Sequence, residues 1–233
     1  MRVQSVGIEF SAKPTLTKIS DKRPADSVLP AALNMQKETI SIVPYMASVD
    51  WYADLLAQRL GLRQGATVVA TADLNRGRIM GANGLQTLSV PIAGGGRNLR
   101  RPFATIGVSE HGSWRRVHWG AIFSAYGRTP YFEHYEHLFR PIWSQPWERL
   151  SDLNEALHRV ITEIVFSAEI IDALPSDRAE LERLSSDYAD YWQLSRAKDG
   201  FVDGLSAIDM VFSLGPQSVF HLLHRVLHTH KSE

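Results

Sequence analysis

Cysteine is absent from all 233 residues. Its absence excludes disulfides, thiolate nucleophiles and thiolate-held metals, and it fits a reducing compartment. Net charge is missing as well, because 25 Lys and Arg balance 25 Asp and Glu. No long-range field then draws the chain towards nucleic acid or an anionic membrane, and neither is expected as a partner. No apolar run approaches the length of a membrane span, and Met1–Phe10 lacks a signal-type apolar core. The reading is a cytoplasmic protein. Also missing are a Gly-x-Ser-x-Gly elbow, a zinc-protease motif, a dinucleotide glycine fingerprint, a paired-carboxylate motif and any internal repeat. Hydrolase, zincin and dinucleotide chemistry have no support, and no metal or cofactor is expected.

What is present suits a globular protein: 44% hydrophobic and 21% charged residues, enough to bury a core. Residues 1–37, punctuated by Pro14, Pro24 and Pro30, read as an extension, hanging free or lying on the surface. One domain is expected over 38–233. Short strand-type runs fall at Thr39–Val43, Thr67–Ala70, Leu85–Ile92 and Phe103–Val108. Asn83-Gly84 favours a tight turn, because both residues accept positive φ.

Val49–Leu60 carries helical spacing, closed by Gly61. Two helices fit 115–126 and 131–140, broken by Gly127 in a left-handed conformation and restarted by Pro130. A further helix spans 151–166, capped at Ser151-Asp152. Another begins after Pro175, and the last begins near Pro216. Strands early and helices late give an α/β (or α+β) fold, a small N-terminal mixed sheet packed with several C-terminal helices.

The densest chemistry lies between Trp114 and Trp147, which holds four of the six tryptophans. Trp114 and His118 share a helix face at i, i+4, so His118 is a candidate general base beside an indole that excludes water. The plainer alternative is a core histidine bonded to backbone. Tyr126, Tyr131 and Tyr135 either line the same pocket or belong to the core. Asn75, Arg76 and Arg78 can clamp a phosphate or carboxylate, or they form a solvated turn. Gly94–Arg101 reads as a flexible basic loop and not a P-loop. His221, His224 and His228 have metal-ligand spacing but no acidic companion, so metal binding there would be adventitious.

Several motifs in order resemble the WbqC-like protein family. They are Ile40-Ser41-Ile42-Val43-Pro44-Tyr45, Asn75-Arg76 with Ile79 and Ala82-Asn83-Gly84, and Leu88-Ser89-Val90-Pro91. Trp114, His118, Ser124-Ala125-Tyr126-Gly127 and Thr129-Pro130-Tyr131-Phe132 continue the set. Tyr191-Trp192-Gln193, Gly200-Phe201, Leu205-Ser206-Ala207-Ile208-Asp209, Phe212 and Gly215-Pro216 complete it, so the likeness covers about residues 39–220. The chain looks like a compact form of that family. Ala70-Thr71-Ala72-Asp73-Leu74 departs from it, being less polar and less basic. The resemblance implies a place in O-antigen and surface-polysaccharide biosynthesis, and a glycine (aminoacyl) transferase role has been suggested for the family.

The expected function is therefore a transferase acting on an activated or nucleotide-linked sugar. In this reading Arg76 and Arg78 hold an anionic group, and Asn75 orients the sugar or acyl group. His118 takes a proton, Trp114, Tyr126 and Tyr131 form an apolar wall, and Asp209 with Ser206 orients His118 or a hydroxyl. The alternative is a non-catalytic sugar- or partner-binding protein on the same fold, which fits the absence of a recognised nucleophile–base pair. The partner in either case is a small, sugar-linked, anionic molecule, and a homo-oligomer is compatible with both.

Overall fold

Leu150, Leu153, Leu157, Ile161 and Ile164 recur at helical spacing. In the computed structural model, which describes residues 42–63, 69–193 and 200–229, they form the buried face of one helix, Leu150–Val165. Each fully buried Leu or Ile stabilises the fold by about 1.5–3 kcal/mol. In chain order the helices are α1 (Val49–Arg59), α2 (Trp114–Tyr126), α3 (Phe132–Ser144), α4 (Leu150–Val165), α5 (Ala168–Asp172), α6 (Arg178–Ser185), α7 (Ala207–Leu214) and α8 (Ser218–Thr229). Strands β1 (Arg76–Gly81) and β2 (Gly84–Ser89) form a two-stranded antiparallel hairpin between α1 and α2.

The mixed helix-and-sheet class is as expected. The extension 1–37 and His230 lie outside the described residues. At the hairpin, Gly81 pairs with Gly84, so Ala82-Asn83 make the turn and only Gly84 has positive φ, at 102°. Positive φ thus falls on Gly84 alone, and Asn83 does not take the positive φ expected of it. The incoming strand is Arg76–Gly81. Of the Thr67–Ala70 run, Val69 and Ala70 are not strand, and the other two residues lie outside the described set. Ile42 and Val43, the described end of the Thr39–Val43 run, are likewise not strand. Phe103–Thr105 is a 3-10 turn, and only isolated bridges follow, Gly107 to Arg149 and Val108 to Ile92. The Gly94–Arg101 loop is ordered by another 3-10 turn, with the Asn98 amide donating to the Ala93 carbonyl at 2.7 Å.

Helix ends differ from expectation for local reasons. Gly127 closes α2 at φ −59°, a right-handed conformation, while Thr129 Oγ1 and N–H both donate to the Tyr126 carbonyl. Helix α3 runs on through Pro141 to Ser144. Proline there forfeits one backbone bond near the helix end, and burial of Ile142 and Trp143 holds the last turn in place. At α4 the N-cap is Arg149, without a side-chain cap bond, and Ser151 sits inside the helix, donating to Asp152. Asp177 caps α6, the helix expected after Pro175, and Gly61, at φ 69°, follows α1 as anticipated.

Helix α7 is buried almost throughout and packs against α1, α3, α4 and α8. Beside it, Phe132 and Phe139 lie 4.9 and 5.0 Å from the Phe212 ring. The chain entering α7 also reaches the hairpin: Ser206 N–H donates to the Arg78 carbonyl at 2.8 Å. The central helix thus fixes the strand that carries the arginines.

Candidate functional site

Period-2 alternation along β1 buries Gly77 and Ile79 and turns Arg76 and Arg78 outward on one face. That face forms one wall of an open cleft of about 500 Å³. The start of α1 lines the cleft too, with Asp50, Trp51 and Asp54. Asp73, Ser48, Thr87 and Ser206 complete the polar lining, and Tyr45 and Met46 lie at its base. Asp50 is paired with Arg225, and Asp54 with Arg63. Among the described residues neither Arg76 nor Arg78 has an ion-pair partner, so two guanidinium groups face the cleft without a counter-charge of their own. Arg78 packs against Gly204, where a Cβ would sit 2.6 Å from its Nη2, and φ of 69° further reserves that position for glycine.

Two strained or unsatisfied features fall in the same cleft. Met46 has φ of 47°, the single non-glycine residue at positive φ among those described. It is held there by Gly77, whose missing side chain leaves room for the Met46 Cβ. Such outliers collect where a surface is shaped for a ligand. Trp51 is 7% exposed, and its Nε1 has no hydrogen-bond partner. A buried N–H donor of this kind is uncommon and calls for an acceptor.

Of the expected site residues, the cleft brings together Arg76, Arg78 and Ser206. Ser206 caps α7, its Oγ accepting from Ile208 N–H at 3.4 Å. Asn75 lies behind the arginines: its amide donates to the Val90 carbonyl at 2.7 Å, and its Oδ1 is buried without a partner. His118 is 3% exposed and stands one residue removed from the cleft, behind Tyr45. The Trp143 indole N–H donates to Tyr45 Oη at 2.9 Å, so the Tyr45 hydroxyl proton goes to His118 Nδ1 at 2.8 Å. His118 is then an Nε2–H tautomer, donating to the Ser89 backbone. Burial pushes its pKa down to about 4 despite that bond.

Asp209 is also enclosed, 2% exposed, with Tyr191 Oη donating to Oδ2 at 2.5 Å and Gln193 Nε2 at 3.4 Å. Desolvation pushes its pKa up to about 6, against the opposing hydrogen bonds from Tyr191, Tyr126 and Gln193. Tyr126 packs on Phe212, and Tyr131 stacks on Tyr135 and covers Gly215, so both belong to the core and not to the cleft. Trp114 does meet His118 as its spacing implied, ring centroids 5.2 Å apart, but it faces a second cavity. The C-terminal histidines do not form a ligand set: His221 is fully buried against the Tyr188 carbonyl, and His224 and His228 stack at 4.1 Å. Among the described residues no group of three His, Cys, Asp or Glu could hold a metal.

Sequence reasoning missed the acidic wall and Trp51. Asp50, Trp51 and Asp54 read as part of an ordinary amphipathic helix, and only tertiary packing brings them into one cleft with the arginines. Tyr45 had one signal, its place in the Pro44-Tyr45 motif.

Fold and site together define a class: a mixed helical domain with a polar, arginine-lined cleft beside a short hairpin. The model of the WbqC-like protein family matches residues 72–170, spanning β1 through the beginning of α5. Over that span the likeness drawn from the ordered motifs is borne out, and at family level it fits a polysaccharide-pathway protein. The matched span contains Arg76, Arg78 and His118, whereas α1 and Ser206 fall outside it. No curated protein and no solved structure matches the chain. No helix among the described residues is long and apolar enough to cross a membrane.

Proposed function

We propose that this chain binds an anionic, sugar-linked compound in the cleft between α1 and β1 and takes part in surface-polysaccharide assembly as a transferase. Aminoacyl (glycine) transfer is the reaction the reading favours. The observation that carries it is the pair Arg76 and Arg78, uncommitted to any described carboxylate and facing a carboxylate-bearing wall. Guanidinium groups in that setting bind phosphate or carboxylate through paired charge-assisted bonds. Asp73, which also lines the cleft and is free of an ion pair among the described residues, suits the amino group of an aminoacyl moiety. The hydroxyls of Ser48 and Thr87 suit sugar hydroxyls.

The second reading, binding without turnover, draws on one observation. His118 has both ring nitrogens engaged and is a weak base, which suits a residue that positions Tyr45 at the cleft floor. Under the transferase reading its link to the cleft runs through the Tyr45 hydroxyl.

The test is isothermal titration of base-free sugar 1-phosphates and aminoacyl donors against wild type and Arg76→Ala, followed by mass spectrometry of product. Loss of affinity by about tenfold or more in Arg76→Ala is expected, the scale of one charge-assisted contact. Equal affinity in the variant removes the cleft from the reading. Binding without product under all donor–acceptor pairs selects the non-catalytic protein.

A further inference from the structure

On the far side of the Tyr45–Trp143 hydrogen bond lies a second cavity, of about 360 Å³, which the cleft reading does not use. Its walls are Trp114, Trp119 and Trp143, and its rim carries Arg115, Arg116 and Arg140. This size falls in the range of small-molecule pockets, and aromatic walls with a few convergent polar groups are their usual lining.

Two features give the cavity a polarity. First, it sits at the N-terminal end of α2, a helix of 13 residues whose first turn has no acidic residue and whose N-cap Ser113 makes no side-chain cap bond. The first N–H groups of that helix are therefore open to an anion, with the helix dipole reinforcing them. Second, the charges around it do not cancel. Arg115 is committed to Glu110, and Arg140 is loosely paired with Glu136 at 3.6 Å, whereas Arg116 is exposed and has no ion-pair partner among the described residues.

We infer that this cavity is a binding site for a nucleoside phosphate, with its phosphate at the first turn of α2 beside Arg116 and Arg140 and its nucleoside against the tryptophans. A bare anion would use the helix end and the arginines but would leave the aromatic walls idle. A neutral sugar would use the walls but not the helix end. Only a ligand with both parts engages the whole cavity. Trp143 forms one wall here and also donates to Tyr45 at the floor of the cleft, so a single hydrogen bond links the two sites.

The experiment titrates the full chain with ADP, UDP and inorganic phosphate by calorimetry, with tryptophan fluorescence in parallel. Wild type, Arg116→Glu, Arg140→Glu and Arg76→Ala are compared. All three positions are exposed, so folding is retained, and unchanged far-ultraviolet circular dichroism confirms it. The expected result is saturable nucleotide binding with altered tryptophan emission, weakened about tenfold or more by Arg116→Glu and by Arg140→Glu. Arg76→Ala should leave it unchanged. Binding lost in Arg76→Ala but kept in Arg116→Glu would place the nucleotide in the cleft and overturn the inference. Phosphate binding as tightly as ADP, or no nucleotide binding up to millimolar concentration, overturns it as well. The cleft reading stands or falls separately, on base-free sugar phosphates and Arg76.

Discussion

At the scale of single residues, Tyr45 is the junction of the molecule. It accepts from Trp143, donates to His118, is fully buried and contributes to the cleft floor. Removing its hydroxyl leaves an indole N–H and an imidazole nitrogen buried without partners, and each such group costs about 1–3 kcal/mol. Tyr45→Phe should therefore destabilise the fold by roughly 2–5 kcal/mol in urea titration, with little change in the folded circular dichroism. A loss under about 0.5 kcal/mol, the scale of an ordinary surface change, would show that water replaces the hydroxyl and that the network is not closed. His118 marks where residue-level reading stops. Its spacing from Trp114 was legible and correct, but whether an i, i+4 imidazole faces a ligand or a tyrosine depends on a partner 73 positions away. Asp209 was illegible for the same reason, since Tyr191 and Gln193 close over it from a separate segment.

Elements positioned by glycine separate stability from binding. Gly84 and Gly204 both have positive φ, at 102° and 69°. Around Gly84 there is open space, whereas at Gly204 a new Cβ meets the Arg78 guanidinium at 2.6 Å. Both alanine variants should lose about 1 kcal/mol or more to backbone strain. Only Gly204→Ala should also weaken binding of a sugar phosphate, by displacing Arg78, and calorimetry on the two variants side by side reads the difference. Matching affinities would mean that Arg78 does not touch the ligand. Gly77→Ala is the severe member of the set, because its Cβ would lie 2.4 Å from that of Met46, which is already strained. The hairpin itself was legible, since Asn83-Gly84 and the alternation after Leu85 are local signals. The Arg76–Gly81 strand was not, because a six-residue run with two glycines and two arginines has little strand propensity and is held by pairing to β2 and by the bond from Ser206. The helices were read to within a few residues wherever an apolar stripe ran unbroken, as in α4. They were misjudged at Pro141, where burial of Ile142 and Trp143 overrides the local stop.

For the molecule as a whole, acid stability is a contest between buried groups of opposite sign. Burial lowers His118 and His158 from 6.5 to about 4, and Arg59 adds to the effect at His158. His221 and His224 are lowered too, chiefly by burial. Between pH 6.5 and 4 the unfolded chain takes up protons at these positions and the native chain does not, so each histidine removes stability as pH falls. Asp209 runs the other way. Its pKa rises from 3.8 to about 6, so between pH 6 and 3.8 the native state holds a proton that the unfolded state has released, and stability rises as pH falls. A shift of two units or slightly more corresponds to about 3 kcal/mol, so His118 and His158 together outweigh Asp209 by roughly one such contribution. Net stability should then decline as pH drops from 6.5 to 4. Urea titrations across that window give the sign directly, and two variants apportion it. His158→Gln, which keeps a polar group near Tyr52 Oη, should flatten the decline, while Asp209→Asn should steepen it by removing the opposing group. A wild-type protein that gains stability on acidification would mean that Asp209 outweighs the histidines. Identical slopes in wild type and Asp209→Asn would mean that its carboxylate keeps the same proton affinity folded and unfolded, with the bonds from Tyr191, Tyr126 and Gln193 offsetting its burial in full.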